Sequence, residues 1–232
     1  MAAILDLKSP TLVIVGHWNA AILNEPGWIA RHILGVPEGQ QIDLQAIIVG
    51  NQVGPGRLAP QKQIWMFEHF GMSCSDQRLE IYSRDIDNLQ PLYDVTSAIA
   101  EKLPHTPVRA AGVNFQFQLG GDLAATTPLL ETSEAFDALG AIRSQERVDS
   151  IEMPAEGLLN VEGLDPPTTL LNLSRKTDFA SAEIKFNYHV DLPGIATLSL
   201  WVGAAPVRHW LQHAGGVLRD VYGFDVFERA YF

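Results

Sequence analysis

Two stretches of this chain alternate polar and apolar residues with a period of two. In Val108–Leu119, Val113, Phe115, Phe117 and Leu119 share one face, and Asn114, Gln116 and Gln118 share the other. In Ala182–Asp191, Ala182, Ile184, Phe186, Tyr188 and Val190 oppose Glu183, Lys185, Asn187, His189 and Asp191. Successive side chains of a strand point to opposite sides of its sheet, so this pattern calls for sheets covered on one face only. Such sheets are mainly antiparallel, with helices packed on one side. The expected fold class is therefore α+β.

The remaining elements follow from local signals. Leu12–Gly16 is a β-branched run suited to a strand. Asn24 can cap a helix with Pro26 in its first turn, running to about Leu34, with Gly35 and Pro37 as its stop. Ile42–Val49 reads as a second strand, and Gln63–Tyr82 as a hairpin turning near Ser73–Gln77. Asp87 to Leu103 has helical spacing, ended by Pro104 and Pro107, and Val108–Leu119 follows. The first half thus reads β-α-β-β-α-β, a ferredoxin-like order. In the second half, Thr127 and Pro128 open a helix to about Leu139. Strands are expected at Arg147–Met153, Thr168–Ser174, Ala182–Asp191 and Thr197–Val202, with a last helix from Pro206. The expectation is one α+β domain over 1–232. The alternative is a subdivision into two α/β halves, 1–120 and 121–232.

Composition removes several function classes. Hydrophobic residues at 47% against 19% charged exclude a disordered chain. Sixteen basic and 27 acidic residues leave a net charge of −11, which repels phosphate backbones and anionic bilayers. No nucleic-acid and no membrane partner is expected. The longest apolar runs are strand-length, short of the ~20 residues a spanning helix needs. Cys74 is the sole cysteine, so no intrachain disulfide forms, and Met1–Pro10 lacks a signal-peptide pattern. The expected location is cytoplasmic.

Five sites carry candidate chemistry. The loop Gly50–Gly56 follows a strand, but it lacks dinucleotide spacing and has no following helix to supply N–H groups, so no cofactor is expected. His209 and His213 lie one helical turn apart, a metal-ligand spacing, yet the residue after His209 is Trp210 rather than the glutamate of a zinc-protease motif. Val207, Trp210, Leu211, Ala214 and Leu218 form the apolar stripe of that helix, which leaves the histidines on a solvated face and makes a metal site the weaker reading. Cys74 has Asp76 beside it, which disfavours a thiolate, so an inert thiol is expected. His17, Asn19, Trp28 and His32 follow the end of the first strand, where α/β folds often place functional groups. They are the ligand-binding candidates, against the plainer reading of aromatic core packing. Finally, Asn114, Gln116 and Gln118 give one strand face uncharged polarity, and the tail carrying Phe227, Tyr231 and Phe232 is rich in large apolar residues. These are the interaction candidates.

Two stretches also resemble known sequences: Gly16-His17-Trp18-Asn19-Ala20-Ala21-Ile22-Leu23 with Trp28 after it, and Val108-Arg109-Ala110-Ala111-Gly112-Val113-Asn114-Phe115. Together they resemble a sporadically distributed family of uncharacterised bacterial proteins, over the first half of the chain. Val113 stands where that family commonly has a basic residue. The resemblance implies a bacterial cytoplasmic α+β protein and assigns no catalytic residue. No serine-hydrolase elbow or other catalytic motif stands out. The expectation is a non-enzymatic interaction or assembly protein forming homo-oligomers or joining another protein. The alternative is a small-molecule-binding protein or enzyme with a pocket near His17, Asn19, Trp28 and His32.

Overall fold

The computed structural model describes residues 4–49, 62–120, 147–153, 158–165, 168–175 and 182–222. The glycine loop at 50–56, the expected helix at 127–139 and the tail residues Phe227, Tyr231 and Phe232 lie outside the described residues. In chain order the elements are β1 (Ile4–Leu7), β2 (Thr11–Gly16), α1 (Ala20–Leu23), α2 (Pro26–His32), β3 (Gln45–Val49), β4 (Lys62–Met66), β5 (Phe70–Cys74), β6 (Arg78–Ser83) and α3 (Gln90–Lys102). Then come β7 (Val108–Gly120), β8 (Arg147–Met153), β9 (Thr168–Arg175), β10 (Ala182–Asp191), α4 (Ile195–Gly203) and α5 (Pro206–Tyr222).

The chain forms two compact units, each drawn from separate segments. One comprises Thr11–Ala111 with Asp191–Ala204; the other comprises Met1–Pro10, Gly112–Val190 and Ala205–Phe232. The passage from one unit to the other falls within β7, at Ala111 and Gly112, rather than near Gly120 where the sequence suggests a boundary. A continuous strand carries no loop signal in sequence, so the position was invisible there.

In the first unit the strands lie in the order β3-β4-β5-β6-β2, followed by the opening residues of β7. The pairs β2–β6, β3–β4, β4–β5 and β5–β6 are antiparallel. Without the β3–β4 hairpin, the chain order β2-α-β5-β6-α3-β7 and the spatial order β5-β6-β2-β7 describe a ferredoxin-like α+β fold. The expected single hairpin over Gln63–Tyr82 is in fact three strands. The apolar run Ile64–Met72 turns at Phe67, whose N–H donates to the Phe70 carbonyl at 2.8 Å while the two rings stack at 4.7 Å. The polar pair Glu68 and His69 inside that run, exposed in the structure, is the mark of the turn in sequence.

Two further local readings change. The first helix is two short ones. Asn19 caps α1 by accepting from the Ile22 N–H at 3.3 Å, and Glu25 caps α2 through the N–H groups of Gly27 and Trp28. Asn24, expected to be the N-cap, is instead the C-cap of α1. The segment expected as a strand at Thr197–Val202 is helix α4. Leu198, Trp201 and Val202 are buried there at positions i, i+3 and i+4, and the Thr197 hydroxyl donates back to the Gly194 carbonyl at 2.6 Å. Its β-branched and aromatic content favoured a strand, but α4 packs on α3, and burial of Trp201 on that helix overrides propensity. The core of this unit is built from Leu12, Ile14, Met72, Leu79, Ile81, Leu92 and Ile99, all at 0% exposure. Each such side chain contributes roughly 1.5–3 kcal/mol by leaving water.

In the second unit β1 runs antiparallel to the end of β7, from Ile4 opposite Gly120 to Leu7 opposite Phe117. On the other side β7 is followed by β10, β9 and β8. β10 pairs antiparallel with β9 from Ala182 opposite Arg175 to His189 opposite Thr168. The alternation read from sequence holds: Ile184, Phe186, Tyr188 and Val190 are buried, and Lys185 and Asn187 are exposed. Phe115 meets Tyr188 edge-on at 5.7 Å, and Phe117 meets Phe186 the same way at 5.8 Å. Helix α5 covers this face with Val207, Trp210, Leu211, Ala214 and Leu218, Trp210 stacking on Tyr188 at 5.1 Å. Gly112 lies so close to β10 that a Cβ there would stand 2.4 Å from the Tyr188 carbonyl oxygen.

Candidate functional site

The four expected pocket residues have separate duties. His17 is exposed, and its backbone N–H donates to the Pro107 carbonyl at 2.9 Å. Asn19 is spent on the cap of α1, while Trp18 between them is buried and donates its indole N–H to the Ile14 carbonyl. Trp28 and His32 meet ring to ring at 5.1 Å on α2, where His32 also sits at the negative end of the helix. Among the described residues, no hydrogen bond or ring contact joins the His17 or Asn19 side chain to Trp28 or His32.

The histidines of α5 are both half-buried. His213 places Nδ1 2.8 Å from the Tyr188 hydroxyl, with its ring edge-on to the phenol. Burial, then the neighbouring His209, holds the His213 imidazole below its usual pKa. Burial pushes the Tyr188 phenol well above its own. Both groups are neutral near pH 7, and in the tautomer protonated at Nε2 the phenol donates to Nδ1. The pair anchors α5 to β10. Among the described residues, no group of three His, Cys, Asp or Glu side chains is placed to share a metal ion.

Cys74 is half-buried on β5 and its thiol is pushed up to about 12, first by burial and then by the charge of Asp76. Such a thiol stays protonated and unreactive at neutral pH.

A polar cluster that sequence reading did not single out spans β4, β5 and β6. Glu80 is only 8% exposed, and Arg78 Nε lies 2.6 Å from its Oε1. Its Oε2 accepts from the Lys62 ammonium, the Tyr82 hydroxyl and the Ser73 hydroxyl. Burial alone would raise the Glu80 carboxyl; the hydrogen bonds from Lys62 and Tyr82 and the charges of Arg78 and Lys62 outweigh it and hold the group below its usual range. The cluster is internally satisfied and ties three strands together. Polar alternation in Arg78–Ser83 marks Glu80 and Tyr82, but Lys62, distant in sequence, gives no signal.

The least satisfied feature is a sheet edge. β3 pairs with β4 on one side, and among the described residues no strand pairs with its other side. Gln45, Ala46, Ile47 and Ile48 are all exposed, Ile47 at 43% and Ile48 at 64%. Edge strands normally carry lysine, proline or a bulge to discourage pairing, and Gln45–Val49 has no charge, no proline and a regular register with β4. The sequence reads Ile42–Val49 as a strand, but periodicity does not report which strands end a sheet.

No family model matches the chain, and no curated protein matches it. Among solved structures, the regulatory subunit of aspartate kinase from Thermus flavus aligns over 91% of this chain and 96% of its own, at 14% identity. Its TM-score of 0.21 is too low to argue a shared fold, so the fold assignment stands on strand order alone.

Proposed function

We propose that this chain is an interaction or assembly protein that meets other protein through strand β3. The observation that carries the reading is the uncharged, regular edge with Ile47 and Ile48 exposed. An extended segment added there would pair with the edge N–H and C=O groups that no described strand takes up, and would cover both isoleucines. The inert Cys74 thiol and the satisfied Glu80 cluster support a binding role over a catalytic one.

The test is native mass spectrometry on gently purified protein, comparing the wild type with Ile48→Lys. Ile48 is exposed enough that the substitution leaves folding stability within about 0.5 kcal/mol. Wild-type protein in complexes that the lysine variant loses is the expected result. A monodisperse wild-type monomer with no bound protein, or complexes indifferent to the substitution, sinks the proposal.

A further inference from the structure

We infer that β3 and β4 form a flap on the ferredoxin-like unit, swinging as one piece about the Trp65–Phe70 turn and latched at its far end by Lys62. Strand pairing sets the boundary. Five residue pairs join β3 to β4, from Gln45 opposite Met66 to Val49 opposite Lys62. Five join β5 to β6, and five join β6 to β2. Between β4 and β5 there are two, Trp65 with Met72 and Met66 with Gly71, beside the turn that the Phe67 N–H closes. Among the described residues, Lys62, Gln63 and Ile64 pair with no residue of β5. Each missing pair removes main-chain hydrogen bonds from this one seam, so an opening of the sheet starts there.

Both places where the chain enters and leaves this ribbon lie at its Gln45–Met66 end, as a hinge requires. The exit is the Phe67–Phe70 turn. The entry is slack: residues 37–41 are all exposed, and among the described residues the one hydrogen bond within 37–44 is local, from the Gln40 N–H to the Pro37 carbonyl at 3.2 Å. Side chains close the far end. On the face that Glu80 and Tyr82 share, β5 offers Gly71 and Ser73, and the Met66 thioether lies where a Gly71 side chain would stand. Lys62 reaches past β5 to β6. There its ammonium donates to the Glu80 carboxylate and the Tyr82 hydroxyl, and it lies over the Tyr82 ring at 5.1 Å. Ser73 is small enough to leave that path open, and its hydroxyl donates to the same carboxylate at 3.1 Å. The lysine thus stands in for the main-chain pairs that the seam lacks. Opening the flap uncovers the edge of β5 and leaves the β5-β6-β2 ladder intact. The inference concerns motion of the ribbon and stands whether or not anything pairs with β3.

The test is native-state hydrogen exchange on the full chain, read residue by residue by NMR for the wild type, Lys62→Met and Tyr82→Phe. K62M keeps an apolar stem and removes the ammonium, while Glu80 keeps Arg78, Tyr82 and Ser73. Y82F is the milder change, removing one acceptor of Lys62 and keeping the ring. In the wild type, the amides that β3 and β4 donate to each other are expected to share one level of protection, at least about tenfold below that of the β2–β6 ladder. K62M is expected to speed exchange of that whole group about tenfold and Y82F about threefold, with β2 and β6 unchanged. Equal protection of the ribbon and the β2–β6 ladder overturns the inference. So does a gradient of protection falling toward the strand ends, which is ordinary edge fraying. Variants that speed every strand alike, or that leave the ribbon unchanged, remove Lys62 as the latch and the flap with it.

Discussion

Replacing Gly112 by alanine places a methyl group where the backbone leaves no room. The new Cβ would lie 2.4 Å from the Tyr188 carbonyl oxygen, while ordinary contact begins at 3.4 Å. The obstacle is main chain of β10, which cannot rotate aside as a side-chain tip can. The strands must part by about 1 Å, against the dense packing of Phe115, Tyr188 and Trp210. Overpacking of this kind costs about 1–3 kcal/mol, and a backbone obstacle puts G112A near the top of that range. For a chain of this size each kcal/mol moves the melting temperature by about 2–4 °C, so a loss of about 6–12 °C is expected. Gly216→Ala is the matched control: in the interior of α5 its Cβ meets nothing nearer than 3.9 Å. That substitution is expected to gain about 1 kcal/mol from helix propensity. Thermal unfolding followed by far-UV circular dichroism reads both. A G112A melt within about 1 °C of wild type, or shifted the same way as G216A, would refute the reasoning.

Two further outcomes follow from the protonation states. His213 has its folded-state pKa lowered, so the fold favours the neutral ring. Its contribution to stability is complete above the unfolded value near 6.5 and is lost as pH falls from there toward the folded pKa. Urea titrations should show stability dropping through that window, and His213→Gln should flatten the drop; an unchanged slope in the variant removes the assignment. Cys74, with its thiol near 12, should resist iodoacetamide at pH 8 in the native state and react only after denaturation. Native labelling at the rate of a free cysteine in solution contradicts the burial that sets that value.

The parts of this fold legible in sequence were those where periodicity and burial agree. β7, β10 and the apolar stripe of α5 were readable residue by residue, since each has one dry face and one wet or half-wet face. Reading failed where a mainly apolar segment shows no clear period. The run Ile64–Met72 turns at Glu68 and His69 within otherwise apolar sequence, and Thr197–Val202, expected as a strand, is helical because its partner α3 lies far away in sequence. A strand was expected at Ile42–Val49, but its pairing with β4 leaves no mark within either segment. Among site residues, the Tyr188–His213 bond joins two residues noticed separately, as a core tyrosine and a surface histidine. Their meeting depends on how α5 lies over β10, which spacing within either element does not encode. Glu80 and Lys62 likewise meet only through strand order.

The packing of α4 on α3 sets a timetable for the nascent chain. The unit that contains Thr11–Ala111 is complete only when Asp191–Ala204 joins it. Helix α3 ends at Lys102 and its cover begins at Ile195, about 90 residues later, which is roughly 5–20 s of synthesis at 5–20 residues per second. Through that interval the apolar surface that Leu198, Trp201 and Val202 help to close stands open on the ribosome. The unit therefore cannot complete its packing in the order it is made until α4 emerges. A gene fragment ending at Ala111 would leave that surface open permanently.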